Sequence, residues 1–422
     1  MLVLIFSGIV ITADMFGYTV PLPTSSYIAV NPLTFRYYWA NGTLHDDTNK
    51  ADAANPRAFV AQKIEETRAN AETQTKKSGT SVSTAVTTTV HGDKVSHIGF
   101  LKVHKAGSTT MQNMFFRFGL KHQLQVIIPT SGNYLLSSGM ALRPSTPKFT
   151  HYDIFACHTV YSKSLYSQLL PKDHVKIGII REPFDRMISA AYYYRDIWNV
   201  GYLKSVPPAN FIHNLINQPE RYERASFSRT RNSMGKDFGF PNNLKPSDTN
   251  IVMQRLNALN SEFSLVMVTE RFDESLVLMK RLLHWSFSDI MYLLANSHKH
   301  SSYPLNEAEL KKFKTTSFLD YAIYDHFLKE FEKKVNAAGE DLQNEVHYFT
   351  DCLVKFKAFC DKANSTTEVL EFGKTKWDDT FTVIKADCDW MKTHELAFID
   401  RLRGMYKGHR KIIYETGPGT KK

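Results

Sequence analysis

Cysteine is scarce: four residues in a chain of 422 are too few for a disulfide scaffold, and their spacing fits no zinc-ligand pattern. No Gly-x-x-x-x-Gly-Lys-Ser/Thr loop occurs, which argues against a nucleotide kinase working on ATP with Mg²⁺. Zinc-finger spacing, an RNP-like aromatic motif and a concentrated basic tail are missing as well, so nucleic acid is not the expected partner. There is no internal repeat. The N-terminal apolar run from Met1 to Ala13 would span only about 20 Å as a helix, against roughly 30 Å of hydrocarbon core. No basic segment precedes it and no small-x-small site follows it. Residues 1–22 are therefore read as a short or truncated signal-anchor, with a cleaved signal peptide as the alternative.

What is present points to a folded protein that meets an anion. Hydrophobic residues make up 43% and aromatics 13%, which excludes a mainly disordered chain. The formal net charge of +10 suits a nucleotide, a phosphate or sulfate group, or an acidic glycan. Two sequons, at Asn41-Gly-Thr43 and Asn364-Ser-Thr366, are compatible with the secretory pathway. In its oxidising environment Cys352 and Cys360 are expected to pair, with Cys388 as an alternative partner. Cys157 sits in an apolar stretch and reads as a buried core thiol. Residues 23–94, rich in Ala, Glu, Lys and Gln and then in Ser and Thr, read as a solvated stem.

The alternation of an α/β domain begins at His97. His97–Lys102 is an expected strand, followed by Met111, Met114, Phe115 and Phe118 at helical spacing. Leu124–Ile128, Tyr152–Cys157, Val175–Ile180 and Ser264–Val268 are further expected strands. Val175–Ile180 is a β-branched run suited to the middle of a parallel sheet. Helices are expected from Ser162 to Leu170, from Pro183 onward with Phe184, Ile188 and Ala191 inward, and along Phe272, Leu276, Met279 and Leu283. Beyond about Asn306 the pattern is helical, with Tyr321, Tyr324, Leu328, Phe331 and Val335 on one stripe. The resulting division is a catalytic domain over 95–340 and a helical C-terminal extension over 341–422.

Two segments carry the chemistry. In Lys102-Val-His-Lys-Ala-Gly-Ser-Thr-Thr110, a cation (Lys105), a glycine (Gly107) and hydroxyls (Ser108, Thr109, Thr110) stand between a strand and a helix. Phosphate held at a helix N-terminus needs those parts; a simple Gly-Ser-Thr helix cap is the plainer alternative. In Arg181-Glu-Pro-Phe-Asp-Arg-Met-Ile-Ser189, the arginine ends a parallel strand, where α/β proteins bind ligands. Ser189 follows about two helical turns later, placed to share a phosphate with it.

These segments resemble the 5′-phosphosulfate and 3′-phosphate motifs of sulfotransferases. Phe100-Leu-Lys-Val-His-Lys, Arg117-Phe-Gly, Arg231-Asn-Ser-Met-Gly-Lys-Asp-Phe-Gly and Phe272-Asp-Glu-Ser-Leu-Val-Leu bring the likeness closest to the galactose 3-O-sulfotransferases, over roughly residues 97–335. The resemblance implies a P-loop NTPase-like sulfotransferase fold with a central parallel sheet flanked by helices. It implies PAPS (3′-phosphoadenylyl sulfate) as donor, no metal, a galactose-terminated glycolipid or glycan as acceptor, and a type II Golgi membrane topology with a lumenal catalytic domain. It maps Lys105 to the lysine on the 5′-phosphate and leaving oxygen, with Ala106 to Thr110 in the same loop, and Arg181 and Ser189 to the 3′-phosphate pair.

Sulfonyl transfer to a sugar hydroxyl needs a base. His158, following the strand that ends at Cys157, is read as that base. His104, flanked by the cations Lys102 and Lys105, is read as aiding acceptor or transition-state contacts. Lys102 is a candidate for stabilising charge on the transferring group. Tyr192, Tyr193, Tyr194 and Trp198 are candidates for shaping the acceptor cleft, with at least one of them in the core. Arg231, Asn232 and Asp237 are weaker candidates for donor or acceptor contacts. The competing functions are sulfation of another sugar position, such as a uronic acid 2-OH, and a non-catalytic lumenal glycan- or nucleotide-binding protein.

Overall fold

A computed structural model describes residues 93–135, 140–143, 150–223, 228–293, 303–363, 368–405 and 410–413, with four short strands nearer the N-terminus. Two compact units separate: Met1–Pro32 with Arg36–Val86, and Leu33–Phe35 with Thr87–Lys422. In the first, Leu2–Phe6 pairs antiparallel with Ile9–Ala13, and Tyr27–Val30 with Tyr37–Ala40. The segment expected as an anchor thus enters a strand pair where it is described. Among the described residues no helix is long and apolar enough to cross a membrane. Both sequons and most of the expected stem lie outside the described residues.

The second unit is built on a four-stranded parallel sheet. Its strands are β1 (Ile98–Phe100), β2 (Ile154–Phe155), β3 (Val175–Ile180) and β4 (Leu265–Val268), in the order β2-β1-β3-β4. All are short and apolar, as suits strands covered on both faces. Gly99 in β1 is required by close approach: a Cβ there would stand 2.7 Å from the Tyr166 ring. Helices α1 (Ser108–Lys121), α2 (Lys163–Leu169), α3 (Pro183–Tyr192), α4 (Phe272–Leu283), α5 (Phe318–Lys362) and α6 (Glu395–Met405) accompany the sheet. α3 starts where expected. Pro183 supplies a first position that needs no N–H, and the Glu182 carboxylate accepts from Asp185 N at 2.7 Å.

Three expectations change. Leu124–Ile128 contributes only a single parallel bridge, Val126 to Ile154, since Pro129 brings no N–H to extend the pairing. The Tyr152–Cys157 strand contracts to β2. The stripe on α5 shifts by part of a turn: Ile323, Phe327, Phe331 and Val335 are buried, with Tyr321, Tyr324 and Leu328 at its edge.

Cys352 and Cys360 do not pair. The disulfide joins Cys360 to Cys388, with Cα atoms 5.5 Å apart, and Cys352 is free and buried. The reason is geometric. Both Cys352 and Cys360 lie on α5, where eight residues rise about 12 Å, beyond the roughly 7 Å a disulfide tolerates. Cys157 is the buried thiol expected: its Sγ donates to Ile127 O at 3.3 Å, and burial pushes its pKa up to about 12.

A buried ion pair ties α3 to α5. Arg186 and Asp320 are both nearly inaccessible and meet at 3.2 Å. Asp320 also accepts from Ser233 N (3.2 Å) and Gly235 N (3.1 Å), holding the short helix Ser233–Asp237 in place. Burial raises the Asp320 carboxyl, with Arg186 opposing it. Removing one partner of such a pair strands the other charge. Asp320→Ala is therefore expected to cost about 3–5 kcal/mol, read as a lowered urea midpoint. A loss near zero would show that Arg186 is compensated elsewhere.

Candidate active site

The turn after β1 reverses into α1 through two left-handed residues, Lys105 (φ 63°) and Gly107 (φ 71°). Glycine suits the second because it carries no Cβ penalty there. The turn is pinned from three sides. Ser108 Oγ donates to Val103 O at 2.6 Å. Thr269 Oγ1 lies 3.0 Å from Ala106 O and 2.8 Å from Ile180 O, joining the turn to the end of β3. Arg181 Nη1 donates to Lys105 O at 3.2 Å. The first turn of α1 has neither an N-cap side-chain bond nor an acidic residue; Thr110 N donates to Gly107 O at 3.2 Å, and the positive dipole end suits an anion.

The two segments singled out in the sequence therefore touch. Lys105 Nζ stands 3.6 Å from the centroid of the Tyr193 ring. Burial, and then the charges of Arg181 and Lys102, lower its pKa to about 8. Ser189 lies half-buried on α3, and among the described residues no hydrogen bond joins it to Arg181. Tyr194 is the core member of the aromatic group, 6% exposed, whereas Trp198 is 61% exposed.

Both histidine candidates meet at this edge. Their rings stack with centroids 4.0 Å apart and planes 14° from parallel. His158 Nδ1 donates to Lys102 O at 2.9 Å; because a carbonyl only accepts, Nε2 carries the lone pair. Burial, His104 and Lys102 together push the His158 pKa well below the usual imidazole range. His104 Nδ1 donates to Asp237 Oδ1 at 2.9 Å, and its backbone N–H donates to Asp237 Oδ2 at 2.8 Å. Asp237, a weaker candidate from sequence, is thus the orienting partner of His104.

Lys102 is fully buried, with its Nζ 3.1 Å from Glu395 Oε2 and 3.4 Å from Thr109 Oγ1. Glu395 also accepts from Thr109 Oγ1 at 2.6 Å and from Asn133 Nδ2. Sequence reasoning missed Glu395 and Asn133; nothing local marks either. Arg231 turns away from this constellation, pairing with Glu223 at 3.2 Å. Asn232 bonds the junction before α5 through Thr316 O and Leu319 N. Among the described residues no group of three or more His, Cys, Asp or Glu could hold a metal ion.

Comparison with known proteins shows the family. The model of the galactose-3-O-sulfotransferase family matches residues 38–368. Galactose-3-O-sulfotransferase 3 of Mus musculus is 32% identical over 253 residues, covering 57% of this chain and 58% of the relative. Galactosylceramide sulfotransferase of Homo sapiens is 29% identical over 272 residues, 63% of this chain and 64% of the relative. Galactose-3-O-sulfotransferase 2 of Mus musculus is 27% identical over 281 residues, 63% of this chain and 70% of the relative. The chain therefore spans less than two thirds of the first of these relatives, 58% of its length.

The Lys105 environment is testable without any reaction. In an NMR titration of labelled lysine side chains, the Lys105 amine is expected to be charged at pH 6 and to lose its proton with a midpoint near pH 8. Arg181→Gln removes a neighbouring positive charge and should move that midpoint upward. A midpoint above 10 in the unaltered protein would contradict the buried, cation-flanked geometry.

Proposed function

The chain belongs to the galactose-3-O-sulfotransferase family, and we propose that it transfers the sulfonyl group of PAPS to the 3-hydroxyl of a galactose on a glycolipid or glycoprotein glycan. The observation that carries this reading is the contact of two cation-bearing turns, Arg181 Nη1 on Lys105 O, beside a stacked histidine pair. One turn suits a 5′-phosphosulfate at the N-terminus of α1, the other a 3′-phosphate. The family's glycan and glycolipid acceptors are carried over from the relatives' names.

In this mechanism the acceptor oxygen attacks sulfur in line with the bond from sulfur to the bridging oxygen of the 5′-phosphate. A new S–O bond forms to the sugar, the old one breaks, and 3′,5′-ADP leaves with the electron pair. Lys105, charged below about pH 8, meets the charge growing on the leaving oxygen. The acceptor proton needs a base. We assign it to His104 rather than His158, because an imidazolium forming on His104 is stabilised by the Asp237 carboxylate. His158 is pushed toward its neutral form, which makes it a hydrogen-bond acceptor for a neighbouring hydroxyl of the sugar rather than a proton store.

The proposed setting is the Golgi lumen, behind an N-terminal membrane anchor. The Cys360–Cys388 disulfide supports an oxidising compartment.

The decisive assay is transfer of radiolabelled sulfonyl from PAPS to galactosylceramide, lactosylceramide, N-acetyllactosamine and heparan sulfate, with the sulfated position mapped. Transfer to galactose O3 is expected. His104→Ala should lower the rate by about 10²–10⁴-fold, and Lys105→Ala should abolish detectable transfer while the fold survives. Labelling of heparan sulfate alone would favour a uronyl 2-O enzyme; no labelling of any acceptor would favour a binding protein.

The donor site has its own test. Arg181→Ala should weaken 3′,5′-ADP by about 10–100-fold, the value of a charge-assisted hydrogen bond, with 5′-AMP changed much less. Equal losses for both nucleotides would place the 3′-phosphate elsewhere.

A further inference from the structure

The carboxylate of Glu395 lies on the very parts of the loop that an incoming phosphosulfate would use. It is the first residue of α6 and belongs to a stretch beyond the family match, which ends at residue 368. It reaches back 286 positions to Thr109 and 293 to Lys102. Its contacts are polar throughout: the Lys102 ammonium at 3.1 Å, the Thr109 hydroxyl at 2.6 Å, and the Asn133 amide. Burial alone would raise the Glu395 carboxyl, but Lys102 and the bonds from Thr109 and Asn133 outweigh it and bring it down to about 2.

Hydrogen-bond capacity sharpens the point. A threonine hydroxyl has one proton to give, and Thr109 gives it to Glu395. While it does so, that hydroxyl cannot donate to a phosphate oxygen. Lys102, fully buried, has its charge matched by the same carboxylate. A phosphosulfate at the first turn of α1 would add negative charge within a few ångströms of Glu395, in a setting where water screens poorly. One of the two anions must give way.

We propose that Glu395 is a positioning residue of the donor site that acts as an exchangeable internal anion: it holds Lys102 and Thr109 in place, and yields them when the donor's 5′-phosphosulfate binds. A cavity of ≈ 230 Å³, whose wall combines Thr109, Asn113, Lys392 and His394 with apolar residues such as Phe116 and Met391, gives the displaced carboxylate room beside Lys392 and His394 without moving α6. The helix dipole at the start of α6 also favours the carboxylate after release. The energetic consequence is that donor affinity reports a difference, the phosphosulfate's attraction for the loop less that of Glu395.

The inference rests on the reading of PAPS as donor, and the test separates the two. Calorimetric titration of the full chain with 3′,5′-ADP and with 5′-AMP is compared for the unaltered protein, Glu395→Gln, Glu395→Ala and Glu395→Asp. Glu395→Gln keeps the shape and the acceptor oxygen but removes the charge, and is expected to bind both nucleotides about tenfold more tightly. The gain should be equal because both share the 5′-phosphate. Glu395→Ala is expected to behave alike, with thermal melting confirming that it folds. Glu395→Asp retains the charge and should return affinity to within about threefold of the unaltered protein, which a loss of packing would not do. In turnover by Glu395→Gln, the gain should appear as a lower KM for PAPS rather than a higher kcat. Unchanged or weaker binding by a folded Glu395→Gln overturns the proposal, as does a gain confined to 3′,5′-ADP. If the unaltered protein binds neither nucleotide, the donor reading fails and takes this inference with it.

Discussion

The parallel pairing of β1 between β2 and β3 is the constraint from which the site follows. Parallel strands send their C-terminal ends to one edge, so the turn after β1, His158 beyond β2 and Arg181 at the end of β3 arrive together although they are far apart in sequence. The strands that achieve this are very short, three residues in β1 and two in β2. Their position depends on packing more than on ladder length. Gly99 lets the Tyr166 ring lie directly on β1, and the Tyr166 hydroxyl donates to Phe100 O at 3.2 Å. A side chain at residue 99 would push α2 off the sheet and move the Lys102–Thr110 turn with it.

On that edge the protein must keep several polar and charged groups in poor solvent contact, and it does so by giving each a carboxylate partner from a different element. Lys102 is matched by Glu395 of α6, Arg186 by Asp320 of α5, and His104 by Asp237 of the short helix before residue 238. Buried pairs of this kind add little stability over apolar residues of the same shape. What they provide is position. The Asp320 carboxylate holds the backbone of Ser233 and Gly235, and that helix in turn presents Asp237 to His104. Lys105 is the exception: among the described residues no carboxylate forms an ion pair with it, the charges of Arg181 and Lys102 outweigh that of Glu395, and its ammonium rests on the face of Tyr193. Such a cation beside the start of α1 is the feature most suited to an anionic ligand.

How much of this was legible in the sequence depends on how far each determinant lies from what it determines. The strand-to-helix turn at Lys102–Thr110, the strand Val175–Ile180 and the start of α3 at Pro183 are local patterns, and the structure forms these elements where they are expected. β2 was overextended because an apolar run such as Tyr152–Cys157 stays buried whether or not it pairs; only Ile154 and Phe155 have ladder partners. The expected Cys352–Cys360 pair conflicts with the helix expected over the same residues: eight positions along α5 stand too far apart for a bond, and only tertiary folding brings Cys388 to Cys360. Glu395 carries no local mark at all. A glutamate at a helix start is ordinary, and only tertiary folding brings it to Lys102.

The histidine pair shows why residue type alone does not settle a role. His104 and His158 stack at 4.0 Å, so the two rings cannot comfortably carry charge together. The partner of each Nδ1 decides which ring takes the proton. A carbonyl behind His158 fixes its tautomer but brings no countercharge, while burial and nearby cations disfavour its charged form. A carboxylate behind His104 fixes its tautomer and also neutralises the imidazolium. The two rings are chemically alike in sequence and differ in place by what stands behind each Nδ1. Such a stack can accept a hydrogen bond from one sugar hydroxyl through one ring and take the proton of a second through the other. In the proposed scheme the division of labour rests on Asp237, a residue that touches neither donor nor acceptor, and on the Arg186–Asp320 pair that keeps its helix where it is.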